Sequence, residues 1–337
     1  MNQVLQQLRE SSNASLKHAQ DIYAPILVHL DSVNDLLHEQ IIQSGEIMSE
    51  RLISSGVASG KRVRPALLLL CGAATGDVKK THVAAAAAVE LVHAATLVHD
   101  DVLDEAEHRR HEPSMNARWD NTTTILSGDY LFSKAFEVAT ASGSIEVVRR
   151  IAESSCLVCE GEIAQNAASG NFEISEAEYL RFIELKTAEL CKLSSGLGAL
   201  LSECEQESVS AFENYGHNLG VAFQIIDDVL DLVGNKERVG KTLGTDLINR
   251  KATLPVIHSL RELDQPSRES LLAALNSSDV KVESILQTLE STNSIEYARQ
   301  MARNHAQQAI GFANSLPDSA TTGSLRKLAD FVVQRTY

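Results

Sequence analysis

Residues 83–104 read VAAAAAVELVHAATLVHDDVLD. The run is too long for a strand and lacks the polar alternation of one. Glu90 and His93 interrupt it, so a membrane span is not expected. A helix that is apolar on nearly every side belongs in a core. This stretch therefore predicts a buried helix, from His82 to Arg109, that ends on the aspartates Asp100, Asp101 and Asp104.

The flanking sequence reads the same way. Ile26, Leu30, Val33, Leu36 and Leu37 recur at helical spacing. Further helices are expected over Arg64–Gly72, Thr122–Ala141, Ile145–Ala168, Ser175–Ser202 and Ser208–Val233. The six prolines fall where helices begin or stop. No Pro/Ser-rich linker or charge block divides the chain, so one all-α domain over 1–337 is expected, with long helices around a central cavity.

The pentapeptide DDVLD recurs at Asp227, Asp228 and Asp231, again after an apolar run, FQII. On a helix, positions i and i+4 share a face, so Asp100 projects with Asp104 and Asp227 with Asp231. Such like-charged pairs cost a helix a few tenths of a kcal/mol, about 0.2–0.5 each. A solvated helix end explains one copy as well as a metal site does, but explains two identical copies poorly. The chemistry that needs them is oxygen ligation of Mg²⁺, a hard ion that takes carboxylate and substrate phosphate together. A rival reading pairs Glu90-x-x-His93 with Glu105-x-x-His108 as a di-iron centre. On one helix, their fifteen-residue separation would be about 22 Å, too far to share a metal pair.

Composition narrows the partners. A formal net charge of -15 and 4% aromatics argue against nucleic acid. An acidic chain can hold a diphosphate only through metal ions or local cationic clusters. Such clusters are present: Lys61, Arg62 and Arg64 beside Gly60; Arg109 and Arg110; Lys186 before Thr187; and Lys241 and Lys251 in the basic, glycine-containing loop 234–251. Each alone is more often a surface charge; jointly they read as the cationic half of a diphosphate site, and the loop reads as a lid. Five scattered cysteines and an N-terminus without a signal-peptide pattern predict a cytoplasmic protein. The lone CxxC of Cys156 and Cys159 is expected to be core thiol rather than zinc or redox chemistry.

The ordered set GKRVRP, HAATLVHDDVLDE, RR, ILSGDYL, KTA, AFQIIDDVLD and GKTLGTD…KATLP resembles the trans-isoprenyl diphosphate synthase (polyprenyl synthetase) family across roughly residues 20–335. It is most similar to the long-chain octaprenyl diphosphate synthase type. The resemblance implies an isoprenoid synthase-type helical bundle, usually a homodimer. It also implies condensation of isopentenyl diphosphate with an allylic diphosphate, farnesyl or geranylgeranyl diphosphate being the expected primer, with release of diphosphate. By that resemblance Asp100, Asp104 and Asp227, with Asp101, Asp228 and Asp231 nearby, would hold Mg²⁺ on the allylic diphosphate. Arg109, Lys186 and Lys241 would complete that grip. Lys61, Arg64, His93 and Arg110 would bind isopentenyl diphosphate, with Lys251 counted among the substrate-binding cations. Thr187 and Gln224 would border the allylic cation. The chain departs from the family at Ser59, His111 and Arg250, where glycine is usual.

In the family an aromatic one turn before the first acidic motif stops product growth. Here Ala95, Thr96 and Val92 are small, which implies an open tunnel and a long product that is lipophilic although the enzyme has no span. A terpene cyclase would not need the second cationic pocket. A regulatory subunit or helical binding module would be expected to lack one acidic motif.

Overall fold

A computed structural model describes residues 20–54, 60–109, 112–234, 243–277 and 279–335. The expected all-α class holds: among these residues the only strands are β1 (His108–Arg109) and β2 (Glu112–Pro113), a two-residue antiparallel bridge.

The principal helices are α1 (Leu27–Gln43), α2 (Glu46–Ser54), α3 (Val63–Thr75), α4 (Lys80–Leu103), α5 (Asn121–Thr140), α6 (Ile145–Ala167) and α7 (Glu176–Ile183). They continue through α8 (Glu189–Leu201), α9 (Gln206–Val233), α10 (Leu254–Glu262), α11 (Gln265–Leu275), α12 (Val282–Ser291), α13 (Ser294–Ser315) and α14 (Ala320–Gln334). The chain divides into two compact units. One takes residues up to 155 with 190–216 and 312–328; the other takes 156–189, 217–311 and 329 onward.

In the first unit α4 packs on α5, α3 and α1. Its alanines explain the closeness: Ala85 to Ala88 are fully buried and allow backbones to approach. Among the described residues α4 alone is long and apolar enough to cross a bilayer, but 72% of the apolar window is buried in the protein, so it is a core helix. Helix α3 is buried from Pro65 to Gly72, each leucine contributing about 2 kcal/mol of apolar burial. Gly198 of α8 meets α3 so closely that an added Cβ would lie 2.8 Å from the Cys71 Cβ. Helix α5 starts on a cap absent from the sequence reading: the Asp120 carboxylate accepts the Thr123 N–H at 2.7 Å.

The second unit is built from α7 and α10 to α12 with the adjoining segments. The continuous helix expected over Ser175–Ser202 is instead interrupted by a π-helical turn, Glu184–Ala188. Gly161 explains the tight seat of that turn, since a Cβ there would stand 2.6 Å from the Leu185 Cβ and 2.9 Å from the Lys186 nitrogen.

Three expectations are corrected. The first acidic helix stops at Leu103 rather than Arg109, because Glu105 turns left-handed at φ 49° and Ser114 Oγ ties the Ala106 carbonyl at 2.5 Å. Glu105 and His108 are consequently not on that helix, so the one-helix separation does not apply; the di-iron reading fails because no three His, Cys, Asp or Glu converge among the described residues. Cys156 and Cys159 are exposed, not core. The buried stripe of α6 runs through Val147, Ile151, Ser154, Ser155 and Val158, and both thiols fall off it, on the side of exposed Ile163.

Candidate active site

Both acidic motifs occupy the C-terminal turns of their helices. Asp100 and Asp101 lie in the last turn of α4, and Asp104 is its C-cap, its N–H donating to the Asp100 carbonyl at 2.8 Å. Asp227, Asp228 and Asp231 lie in the last two turns of α9. A helix C-terminus carries negative partial charge and favours cations. Neither last turn contains a basic residue. Carboxylates gathered at this end of a helix, with the i and i+4 oxygens of each motif on one face, suit a hard divalent cation such as Mg²⁺. Among the described residues no three His, Cys, Asp or Glu side chains converge to hold a metal on their own. A cation bound here would need further oxygens from substrate and water, as Mg²⁺ commonly does.

Within the first motif the three aspartates are not equivalent. Asp101 is buried, while Asp100 and Asp104 are half-buried on the shared face. Their register is fixed by His99, a residue the sequence reading passed over. Its Nε2 bonds the Ile125 carbonyl at 3.0 Å and lies 3.4 Å from Asp129 Oδ1. Gly128 makes room, for a Cβ there would collide with the imidazole. The ILSGDYL motif is thus legible as the seat of the helix that carries the first aspartates.

The cations of this unit are placed variously. Lys61 is exposed, and its carbonyl accepts the Tyr23 hydroxyl at 3.2 Å. Arg64 is half-buried, and its Nε has no hydrogen-bond partner among the described residues, a donor waiting for an acceptor. His93 is half-buried on α4. Val92 and Ala95 have no exposed surface, whereas Thr96 is half-buried and donates to the His93 carbonyl at 2.8 Å. Arg109 contributes only its strand backbone to the description. Ser59, Arg110, His111 and Lys241, and with them the lid expectation for residues 235–242, lie outside the described residues.

In the second unit, side chains from three segments join in one hydrogen-bonded relay. Thr187, on the π-helical turn, donates to Gln224 Oε1 at 2.7 Å. Gln224 Nε2 donates to Asp228 Oδ1 at 2.7 Å, and the Tyr179 hydroxyl donates to Asp228 Oδ2 at 2.7 Å. Burial first, and then the charge of Asp246, pushes the Asp228 carboxyl well above the ordinary carboxylate range. Burial first, and then the adjacent Asp228, raise the Tyr179 phenol. Asp231 accepts the backbone N–H groups of Thr245 at 3.3 Å and Asp246 at 3.0 Å, which orders the start of the turn Thr245–Ile248. Asp227 keeps a side chain 40% exposed and pairs with Arg335 at 2.9 Å.

Lys186 sits on the π turn with Nζ 2.5 Å from Glu162 and 3.2 Å from Gln165, partners that no sequence signal announced. Such turns recur at functional sites because the extra residue re-aims its neighbours. Lys251 is half-buried, its N–H donating to the Asp246 carbonyl at 2.8 Å. Arg250 adopts φ 56°, which explains why glycine is usual there. Its guanidinium compensates by donating to Asn276 at 2.6 Å, and its carbonyl accepts the Gly170 N–H at 2.9 Å.

Comparison with known proteins bears on the family and the fold. The Polyprenyl synthetase family matches residues 47–292. The octaprenyl diphosphate synthase of Escherichia coli is 33% identical over 308 residues, covering 90% of this chain and 94% of that protein. A short chain isoprenyl diphosphate synthase of Methanothermobacter thermautotrophicus is 35% identical over 312 residues, covering 91% and 94%. The crystal structure of a polyprenyl synthase from Caulobacter crescentus, complexed with calcium and isoprenyl diphosphate, superposes with a TM-score of 0.89 at 29% identity, covering 95% of this chain and 98% of that one. With seven motifs in order, an all-α fold and matches over nearly the full length, the chain belongs to the polyprenyl synthetase family and is a prenyltransferase.

Proposed function

We propose that this enzyme is Mg²⁺-dependent and condenses isopentenyl diphosphate with an allylic primer, farnesyl or geranylgeranyl diphosphate, to build a long-chain all-trans polyprenyl diphosphate. It acts in the cytoplasm as one catalytic domain and as a homodimer. The observation that supports the metal assignment is the helix-end position of both aspartate motifs, each with its i and i+4 carboxylates on one face. Asp100, Asp104 and Asp227 offer the more open carboxylates. Asp101 is buried, and Asp228 and Asp231 are engaged by neighbouring donors, so these three orient the others. When bound, Mg²⁺ would supply Lewis-acid stabilisation to the charge that develops on the leaving diphosphate.

The chain's own groups do the rest. Lys186, released from Glu162, reaches the allylic diphosphate, joined by Arg109 and Lys241. As the allylic C–O bond breaks, the diphosphate keeps the electron pair. The Thr187 hydroxyl and Gln224 carbonyl oxygens present negative partial charge to the allylic cation. Lys61, Arg64, His93, Arg110 and Lys251 hold isopentenyl diphosphate so that its double bond attacks the cation as an effectively unimolecular step. Proton loss to the departed diphosphate closes one five-carbon extension. The relatives span short-chain to octaprenyl products, and the long-chain choice rests on the small residues Val92, Ala95 and Thr96.

The test is incubation with labelled isopentenyl diphosphate and each primer, with Mg²⁺ or with EDTA, followed by chromatography of the products. Mg²⁺-dependent consumption of isopentenyl diphosphate into chains of thirty carbons or more is expected on the family resemblance. Cyclised hydrocarbon formed without isopentenyl diphosphate would identify a terpene cyclase instead.

A further inference from the structure

One buried ion pair has no part in that chemistry. Glu90 lies inside the apolar helix α4, one turn before His93, and is only 7% exposed. Its Oε1 accepts from Arg62 Nη1 at 2.9 Å, with the two side chains 9% and 1% exposed. Arg62 Nε donates to Asn34 Oδ1 of α1 at 2.8 Å, and Asn34 is itself buried. A single guanidinium therefore ties the segment before α3 to two other helices.

The backbone at this point is unusual. Arg62 adopts φ 51° and ψ 36°, left-handed for a residue that is not glycine, while its carbonyl accepts the Ala66 N–H at 2.9 Å and opens α3. N-cap residues ordinarily take extended angles. Gly60 leaves room for the ion pair, since a Cβ there would lie 3.0 Å from Arg62 Nη1 and 3.4 Å from Glu90 Oε1 and press both side chains. The Tyr23 hydroxyl clamps the Lys61 carbonyl from a third side. The outcome is an alternation: Lys61 is exposed, Arg62 is buried and Arg64 is half-buried with an unpartnered Nε.

We infer that Arg62 is a positioning residue. Its ion pair with Glu90 locks the Gly60–Arg64 turn in the left-handed form that sets Lys61 and Arg64 apart as a paired anion-binding site. The inference rests on the reading above in which those two cations hold the diphosphate of isopentenyl diphosphate. A buried ion pair is seldom more stabilising than an apolar pair of similar volume, and its best-attested use is to specify one conformation. A left-handed arginine supports the same view, because strained backbone persists where the surroundings over-determine it.

The experiment separates positioning from stability. Arg62→Met and Glu90→Leu are made singly and together, and KM for isopentenyl diphosphate, KM for the allylic primer, kcat and Tm are measured. Each single variant strands a buried charge and lowers Tm. The double variant is expected to regain Tm, yet to keep KM for isopentenyl diphosphate raised by about tenfold or more, with KM for the primer within about twofold of the parent. If the double variant regains both Tm and KM, the pair is only structural and the proposal is overturned. Should it not fold, Arg62→Lys decides, because lysine keeps the charge but cannot fork to Asn34 and Glu90 together. A KM raised about threefold or more supports the proposal, and an unchanged one overturns it. Lys61→Ala and Arg64→Ala serve as references. If neither raises KM for isopentenyl diphosphate, the binding assignment itself has failed, and the positioning role falls with it.

Discussion

Arg335 Nη2 lies 2.9 Å from Asp227 Oδ1, so a half-buried carboxylate of the second acidic motif is already countered by a cation just past the last helix. The guanidinium is held there firmly: it stands 4.0 Å over the Phe223 ring, donates to the Phe223 carbonyl at 3.2 Å and is 8% exposed. On the proposed metal assignment, arginine and a divalent cation would compete for the same oxygen. Arg335→Gln is therefore expected to lower the Mg²⁺ concentration needed for half-maximal activity. It should also lower the metal-free Tm by about 2 °C, since a partly exposed pair contributes about 1 kcal/mol at most. A Mg²⁺ titration followed by activity and by thermal shift checks both. An unchanged metal requirement would remove Arg335 from the metal's competitors.

Tyr179 makes a second prediction. It donates to buried Asp228, which through Gln224 orients Thr187. Tyr179→Phe leaves one Asp228 oxygen without its donor, at a cost of about 1–3 kcal/mol. The relay then loses its anchor, and kcat is expected to fall about tenfold. KM for isopentenyl diphosphate should stay unchanged, because that diphosphate is assigned to other residues. A variant with wild-type kcat and Tm would show that the relay does not depend on the phenol.

These partners mark the limit of what the sequence discloses. The helix at 83–104 and both DDVLD motifs are legible because periodicity and charge are local properties. Helix ends are less so: Glu105 turns left-handed where Ser114 ties back to the Ala106 carbonyl, a contact that helical periodicity does not encode. The cysteine misreading has the same origin, for an apolar-looking run in α6 buries only one stripe and both thiols fall outside it. Glu162 on Lys186, Arg335 on Asp227 and Asn34 on Arg62 are pairs separated by many residues, and pairing at that range is settled by packing. Only the glycines left a trace. Gly128 and Gly161 stand in helices that would otherwise favour alanine, and each admits a neighbour that positions a candidate site residue.

The pH dependence of stability follows from His82. Its Nδ1 accepts the Lys79 N–H at 3.1 Å at the start of α4, and Nε2 bonds the Gly198 carbonyl at 3.2 Å. Burial holds this imidazole below its ordinary value of 6.5. Below about pH 6.5 the unfolded chain takes up a proton that the folded chain refuses, so stability falls as pH drops from there to the folded value. The slope from one such group is at most about 1.4 kcal/mol per pH unit. His258 and His305 are lowered by burial with the same sign. His82→Gln, which keeps an acceptor for Lys79, is expected to flatten the acid limb of a Tm-against-pH curve without abolishing it. An unaltered acid limb would show that His82 titrates alike in both states.

On the proposed reading, product length is set by the side chain that the growing chain meets below the first aspartates. Val92 and Ala95 have no exposed surface, whereas Thr96, four residues before Asp100, is half-buried. An aromatic ring at 96 replaces a side chain that is not fully packed, and the Thr96 hydroxyl bond to the His93 carbonyl is lost. At Ala95 a ring must displace packed neighbours, at about 1–3 kcal/mol. Thr96→Phe is therefore expected to shorten the product by one or more five-carbon units with little change in Tm. Ala95→Phe should shorten it too, but with Tm lowered by about 2–4 °C for each kcal/mol. Chromatography of dephosphorylated products, run below the Ala95→Phe transition, compares the two with the parent. If both variants yield the parent's distribution of lengths, growth is stopped elsewhere and these residues are core packing alone.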